Sequence, residues 1–185
     1  MKETRVASRY AKSLLDLTIE QGDLERAYED MRFVSQTCAE SRELVLLLKS
    51  PIVKTDKKQA ILHEIFGKTL GKTSLSFMDI ITRKRRESHL QGIADSFIWQ
   101  YKAYKNIVTA TVTTSVGMDK DIREKIMALV KTNNQAKVEL LEEVDEGIIG
   151  GFVLRIGDTQ LDESIHNKLN DLKKTFSENP YVKDF

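Results

Sequence analysis

The side chains best suited to metal binding or nucleophilic chemistry are few and far apart in this sequence. The three histidines, His63, His89 and His166, have no cysteine or carboxylate partners at ligand spacing. A structural zinc site needs four clustered ligands. Cys38 lies on the apolar face of a predicted helix, which is typical of a small core residue and not of a reactive thiol. We therefore predict no metal site, no cofactor and no catalytic residue, and we expect the protein not to be an enzyme.

The glycines near residue 150 are candidates for a phosphate-binding loop. They match neither G-x-x-x-x-G-K-[ST] nor a strand followed by G-x-G-x-x-G and a helix. They lie within and between predicted strands, where turns, bulges or close backbone approach account for glycine. Gly150, Gly151 and Gly157 are therefore predicted to be structural.

The run Arg83-Lys84-Arg85-Arg86 is the one basic cluster of the sequence. Such a run could contact phosphates, but no aromatic residues are interleaved with it as single-strand binders require. It lies at the C-terminal end of a predicted helix, where cations interact favourably with the helix dipole. A solvated helix end is the favoured interpretation, and we expect no nucleic-acid partner.

The composition is that of an ordinary globular protein. Of the 185 residues, 41% are hydrophobic and 31% are charged. A single cysteine cannot form an internal disulfide, so a reducing compartment is expected. No apolar run approaches the roughly 18 residues of a membrane span, and the first residues lack the apolar core of a signal peptide. We therefore expect no direct membrane insertion, and attachment to a membrane only through other proteins.

The net charge of +1 conceals two halves of opposite sign. Residues 1–105 carry 19 Lys and Arg against 14 Asp and Glu, whereas residues 106–185 carry 10 against 14. Opposite charges indicate a different partner for each half. Chance variation of solvated surface charge is the alternative explanation.

The first half of the chain has the apolar periodicity and the breakers of a series of helices. Gly22, Pro51 and Gly67 separate apolar segments. Asp23 is placed to cap the second helix. The predicted helices cover about 4–20, 23–40, 43–49, 55–66, 74–85 and 90–105. Short connections between six helices predict an all-α bundle.

The period changes near residue 106. Val108, Ala110 and Val112 alternate with threonines, which predicts a half-buried strand. A helix is predicted over about 119–131, and two strands over about 137–144 and 148–156 flank Asp145-Glu146-Gly147, a hairpin turn signal. A last helix begins near residue 164, with one apolar stripe: Ile165, Leu169, Leu172 and Phe176. The sequence therefore predicts an α+β protein of two domains: a six-helix bundle over 1–105, and a small α/β domain over 106–185 in the order strand, helix, strand hairpin, helix.

Two of the predicted helices are apolar around more of their circumference than the others. At 100° per residue, the second and sixth helices place their apolar residues within arcs of roughly 120–140°, the width of one core-facing stripe. The first and fifth helices spread theirs over roughly 220°. Either these two are the most enclosed members of the bundle, or they flank a shallow groove for a partner's amphipathic helix. The wheel alone favours neither.

Three stretches of the sequence resemble one known family. The segment 6–14, centred on Tyr10-Ala11, is similar to its opening helix, although Ser13 stands where alanine is common. Ser50-Pro51 and the segment 77–86 resemble its third-helix exit and its fifth helix. The segment 150–165, which opens Gly-Gly-Phe-Val-Leu-Arg-Ile-Gly-Asp, resembles its C-terminal signature. In their order and spacing these stretches cover nearly the whole chain, which thus resembles the delta subunits of bacterial F-type ATP synthases, counterparts of the mitochondrial oligomycin-sensitivity-conferring protein.

The resemblance implies a mechanical role as a peripheral-stalk, or stator, subunit. In this family the N-terminal bundle binds amphipathic N-terminal helices of the alpha subunits on the catalytic head. The C-terminal part binds the b subunits that rise from the membrane, so that proton-driven rotation is coupled to ATP synthesis. The location implied is the cytoplasmic face of the bacterial plasma (inner) membrane, reached through the complex.

The resemblance also implies positions for the contacts. A groove between the first and fifth helices carries the alpha contact in the family, which points here to Ala7, Tyr10, Ala11, Leu14, Phe77, Ile80 and Ile81. For the contact with the b subunits, the resemblance narrows the location only to residues 106–185. Asp162 or Ser164 is expected to cap the last helix.

Two other classes of function remain as alternatives. An RNA-binding helical adaptor of the antitermination type would account for the helical half and its basic helix end, but not for the α/β half. A steep salt dependence of RNA binding would distinguish it. A small-molecule enzyme is the more distant alternative.

Overall fold

The protein is an α+β chain that divides into two compact units, Met1–Tyr104 and Lys105–Phe185. The computed structural model describes residues 5–115, 117, 123, 137–145, 147–157 and 159–177. Seven α-helices and a four-stranded sheet lie within these residues.

Six of these helices make up most of the first unit, together with one 3₁₀ turn at Glu87–His89. The helices are α1 (Arg5–Gln21), α2 (Leu24–Glu40), α3 (Arg42–Lys49), α4 (Thr55–Phe66), α5 (Lys72–Arg83) and α6 (Leu90–Tyr104). The fifth helix begins two residues before the predicted Ser74, and the rest begin and end within a few residues of their predicted bounds.

The helix ends follow local backbone chemistry, with one correction. Gly22 adopts a positive φ of 72° between α1 and α2, a conformation that suits glycine. Ser41 caps α3, because its Oγ accepts the N–H of Leu44 at 3.3 Å. The prediction that Asp23 caps α2 is wrong, since Asp23 holds the N-cap position without a side-chain hydrogen bond. Its backbone φ and ψ of −106° and 25° depart from the extended conformation of a capping residue.

Each of the six helices buries apolar side chains. Helix α6 packs against both α1 and α2. Its Gly92 lies so close to α1 that an added Cβ would stand 3.6 Å from the Cβ of Ala7. The largest fully buried side chains of this unit include Leu14, Met31, Phe66, Ile81, Ile93 and Phe97. Burial of each such side chain contributes about 1.5–3 kcal/mol, so packing holds these short helices in place.

The second unit is built on a mixed sheet. Its strands are β1 (Ile107–Thr114), β2 (Lys137–Val144), β3 (Phe152–Ile156) and β4 (Thr159–Asp162), in the order β2-β1-β3-β4. Strand β2 is parallel to β1, and the other two pairings are antiparallel. Ala110, Val112 and Leu154 form the buried centre. Helix α7 (Ile165–Ser177) follows the sheet. The helix predicted over about 119–131 lies outside the described residues, apart from Arg123.

The predicted hairpin between the second and third strands is wrong. Strand β1 lies between them, and the hairpin of this unit joins β3 to β4 around Gly157. The Asp145-Glu146-Gly147 signal does form a local turn, in which Asp145 Oδ1 accepts the N–H of Gly147 at 2.9 Å. A turn signal reports local backbone direction, whereas strand order depends on which faces can be buried. β1 takes the central place because Ala110 and Val112 are fully buried.

Candidate partner-binding surfaces

A shallow groove of about 240 Å³ runs between α1 and α5. Residues of both helices line it: Leu17, Gln21, Lys72, Thr73, Ser76, Phe77 and Ile80. At one end the two helices are joined by a hydrogen bond, in which Thr73 Oγ1 donates to Gln21 Oε1 at 3.1 Å. The two helices predicted from their wide apolar arcs therefore do flank a groove.

The groove has apolar walls that remain accessible. Leu17 on α1 is 39% exposed and Ile80 on α5 is 48% exposed. Phe77 is almost buried and contributes to the floor. By helical geometry, half-buried Val6 and Tyr10 lie on the same face of α1 as Leu17, since the spacings are four and seven residues. An apolar stripe two to three turns long on this face matches the footprint of an amphipathic helix.

The seven predicted groove residues separate into two groups. Ala7, Ala11, Leu14 and Ile81 are buried in the core, with exposures of 0–1%. These four side chains pack in the core and cannot contact a partner unless the core rearranges. Of the other three, Phe77 and Ile80 line the groove, whereas half-buried Tyr10 is not among its lining residues.

Several lining residues were absent from the predicted set. Leu17 was within the wide apolar arc of α1, so the wheel contained a signal for it. The polar members Gln21, Thr73 and Ser76 gave no such signal, because polar residues on a helix face normally indicate simple exposure to water.

The second unit exposes an apolar stripe along α7. Its four members are 44–86% exposed: Ile165, Leu169, Leu172 and Phe176. They follow one another at spacings of four, three and four residues, which places them on one face of the helix. A surface helix normally turns such a face toward its own core, so an exposed one indicates an interaction surface.

The chain segment before α7 fixes where this helix begins. Ser164 is its N-cap, because Ser164 Oγ accepts the N–H of Asn167 at 3.2 Å. Asp162 Oδ1 accepts the N–H of Ser164 at 2.9 Å. Hydrogen bonding from Ser164 lowers the pKa of the Asp162 carboxyl below its usual value. Of the two predicted capping residues, Ser164 therefore caps the helix and Asp162 orients the cap.

Two of the three predicted structural glycines lie against this same segment. Gly151 has a φ of +83°, and a Cβ there would stand 2.4 Å from the carbonyl oxygen of Glu163. A Cβ on Gly150 would stand 2.7 Å from Cδ1 of Ile165. Gly157 also has a positive φ, +55°, in the turn between β3 and β4. The Gly-Gly pair thus allows the chain before α7 to pass close to the sheet.

The described residues offer little for catalysis. Among them, no group of three or more His, Cys, Asp or Glu side chains is arranged to hold a metal ion. Burial raises the pKa of the Cys38 thiol to about 11, which keeps it protonated and unreactive at neutral pH. Both surfaces described above expose apolar side chains, which suits them to contacts with other proteins.

The family model described as "ATP synthase delta (OSCP) subunit" matches residues 6–176. The chain belongs to this family. As a member it is a non-catalytic subunit of the peripheral stalk, which links the F1 head of ATP synthase to the membrane part. This assignment replaces the RNA-adaptor and enzyme alternatives.

Relatives named ATP synthase subunit delta align along nearly their whole length. The protein of Cytophaga hutchinsonii is 42% identical over 96% of this chain and 97% of its own. That of Christiangramia forsetii is 37% identical over 98% of both chains. The fold is similar to that of a chain in the mitochondrial ATP synthase hexamer of Toxoplasma gondii. That comparison gives a TM-score of 0.71 at 20% identity and covers 95% of this chain and 99% of the other.

A delta-family subunit acts within a membrane-bound complex. In the described part of this chain, no helix has both the length and the apolarity needed to cross a bilayer.

Proposed function

We propose that this subunit binds the catalytic head through the α1/α5 groove and the membrane-anchored b subunits through residues 106–185. The groove partner is an amphipathic N-terminal helix of an alpha subunit. The six helices of the first unit act as one rigid bundle on top of the head. Because this subunit is bound both to the head and to the b subunits, the head cannot turn with the rotor. Rotation is thereby coupled to ATP synthesis on the cytoplasmic face of the bacterial inner membrane.

The accessible apolar groove between α1 and α5 supports the contact with the alpha subunit. Leu17 and Ile80 stand on opposite walls with Phe77 between them. Each apolar anchor that a partner buries there contributes about 1.5–3 kcal/mol. Three or four anchors suffice for a useful contact after the costs of association. Lys72 at the rim adds a cation that favours an acidic residue on the partner helix.

The groove is tested by titrating a synthetic alpha N-terminal peptide against the full chain and two variants. Ile80→Asp places a carboxylate in the apolar wall, and we expect it to weaken binding by about tenfold or more, since burying a charge without a partner is costly. Leu46→Asp is the matched control, because Leu46 is 57% exposed on α3 and does not line the groove. Equal affinity of both folded variants, checked by circular dichroism, would contradict the groove assignment.

The b contact is supported by the exposed stripe of α7. Four large apolar side chains that are 44–86% exposed match the apolar edge of a long stalk helix. We expect Leu169→Glu in the full chain to reduce capture of the cytoplasmic segment of b by about tenfold. Ile149→Glu is the control, because Ile149 is 71% exposed outside α7. If residues 1–105 alone retained the b segment as well as the full chain does, the proposal for the second unit would fail.

A further inference from the structure

The first unit contains a second concavity that neither proposed contact uses. This basic cleft has a volume of about 840 Å³ and is formed by the α3–α4 connection, the start of α4 and the end of α5. Five cationic side chains are among its lining residues: Lys49, Lys54, Lys58, Arg83 and Arg85. Two carboxylates accompany them, Asp56 and Glu87. The excess of positive charge makes the cleft attractive to anions.

Every second residue of the basic run 83–86 lines this cleft. Arg83 and Arg85 line it, whereas Lys84 and Arg86 are not among its lining residues. The reason is the way α5 ends. The N–H of Arg86 bonds to Ile81 O at 3.0 Å and that of Arg85 to Thr82 O at 2.9 Å, the two bonds of a Schellman motif. Arg85 takes the left-handed position, with φ of 56°.

The start of α4 adds a second attraction for anions. Lys54 occupies its N-cap position and makes no side-chain capping hydrogen bond within the described residues. The first N–H groups of a helix are without intrahelical partners, and the helix dipole is positive there. Since Lys54, Thr55 and Asp56 all line the cleft, this helix end faces its interior.

The residues that line the cleft include a buried ion pair. Lys58 Nζ donates to Leu48 O at 2.8 Å and to Glu87 Oε1 at 2.7 Å. The other carboxylate oxygen, Glu87 Oε2, is buried and has no hydrogen-bond partner among the described residues. Glu87 is 7% exposed and Lys58 is 3% exposed, so the accessible charge of the cleft comes from its exposed cations and from Asp56.

We propose that the basic cleft binds an extended, carboxylate-rich peptide segment of a partner protein. Its acidic side chains pair with the rim cations Lys49, Lys54, Arg83 and Arg85. Exposed Ile52, at 90%, and Pro51 offer apolar contact at the rim.

A nucleic acid fits these residues less well than a peptide does. The cleft lining contains no aromatic side chain on which a base would stack. The peptide is therefore the better partner for the same positive charge.

The test uses the full chain and a fluorescent hexaglutamate peptide with blocked termini. The first variant, Arg83→Gln with Arg85→Gly, removes two charges that line the cleft. The control, Lys84→Gln with Arg86→Gln, removes two charges from the same run that do not. We expect the first pair to weaken binding about fivefold and the control less than about twofold. Binding should also weaken as salt rises from about 50 to 300 mM.

Two results would overturn the proposal. Equal weakening by the two variant pairs would show only general attraction to a basic surface. Tighter binding of a single-stranded oligonucleotide, with the same dependence on Arg83 and Arg85, would assign the cleft to nucleic acid. Denaturation midpoints of all variants establish that each is folded.

Discussion

Replacement of Lys58 by methionine tests the buried ion pair that joins α4 to the 3₁₀ turn before α6. Lys58 and Glu87 are 3% and 7% exposed, and their Nζ–Oε1 distance is 2.7 Å. The substitution leaves the Glu87 carboxylate buried without a cation and removes the donor to Leu48 O. Loss of one partner from a buried pair costs about 3–5 kcal/mol. That is a large share of the stability of a small domain.

The measurement is urea unfolding of the full chain. Trp99 is the single tryptophan of the sequence and lies in α6, so its fluorescence reports unfolding of the first unit. With a slope of about 1.5–2 kcal/mol per molar urea, the expected loss lowers the midpoint by about 2 M. Lys57→Met is the matched control, since Lys57 is an exposed neighbour, and we expect it to change stability by less than about 0.5 kcal/mol.

A second variant distinguishes a broken pair from a simple loss of packing. Lys58→Met combined with Glu87→Leu removes both charges, and we expect it to regain most of the lost stability, because an apolar pair can replace a buried ion pair. A midpoint shift below about 0.5 M for Lys58→Met would refute the reasoning. So would a double variant no more stable than the single one.

Three further predictions concern single positions. Gly151→Ala should destabilise the second unit by about 1–3 kcal/mol in thermal unfolding, since φ is +83° and the new Cβ would meet Glu163 O; an unchanged melting temperature would contradict this. Arg85→Gly should stabilise the first unit by about 0.5–1 kcal/mol, because glycine suits the left-handed position; a lower urea midpoint would show that the Arg85 side chain contributes more than the strain costs. Burial and a hydrogen bond to Glu25 raise the pKa of Tyr101 to about 12. This stabilisation is complete below the unfolded pKa of about 10 and is lost as pH rises through 12, so Tyr101→Phe should flatten the fall in stability over that window.

Local chemistry explains which parts of the fold were predictable. The six helices of the first unit were found from their 3.6-residue periodicity and from breakers such as Gly22 and Pro51, since both act within a few residues of the chain. The error at Asp23 arose because capping depends on the φ and ψ that the neighbouring helices impose. Strand β4 was missed because four mostly exposed residues are too few to show a period.

The groove was predictable only in part. The wide apolar arcs identified α1 and α5, but an arc does not reveal which of its residues face the core. Leu14 and Ile81 proved fully buried, whereas Leu17 and Ile80 remained accessible. That division depends on where the other helices of the unit pack, which are distant in sequence.

The sequence by itself determined the helical first half, the change to strands near residue 106 and the membership of the delta family, because these rest on local periodicity and on ordered motifs. Only the tertiary structure decided the strand order, the accessible walls of the groove and the basic cleft. Each of these depends on which segments bury one another, and burial is a property of the packed chain. The run at 83–86 illustrates the difference. Its charges are visible in the sequence, but only the Schellman motif that ends α5 determines that Arg83 and Arg85 line the cleft while Lys84 and Arg86 do not.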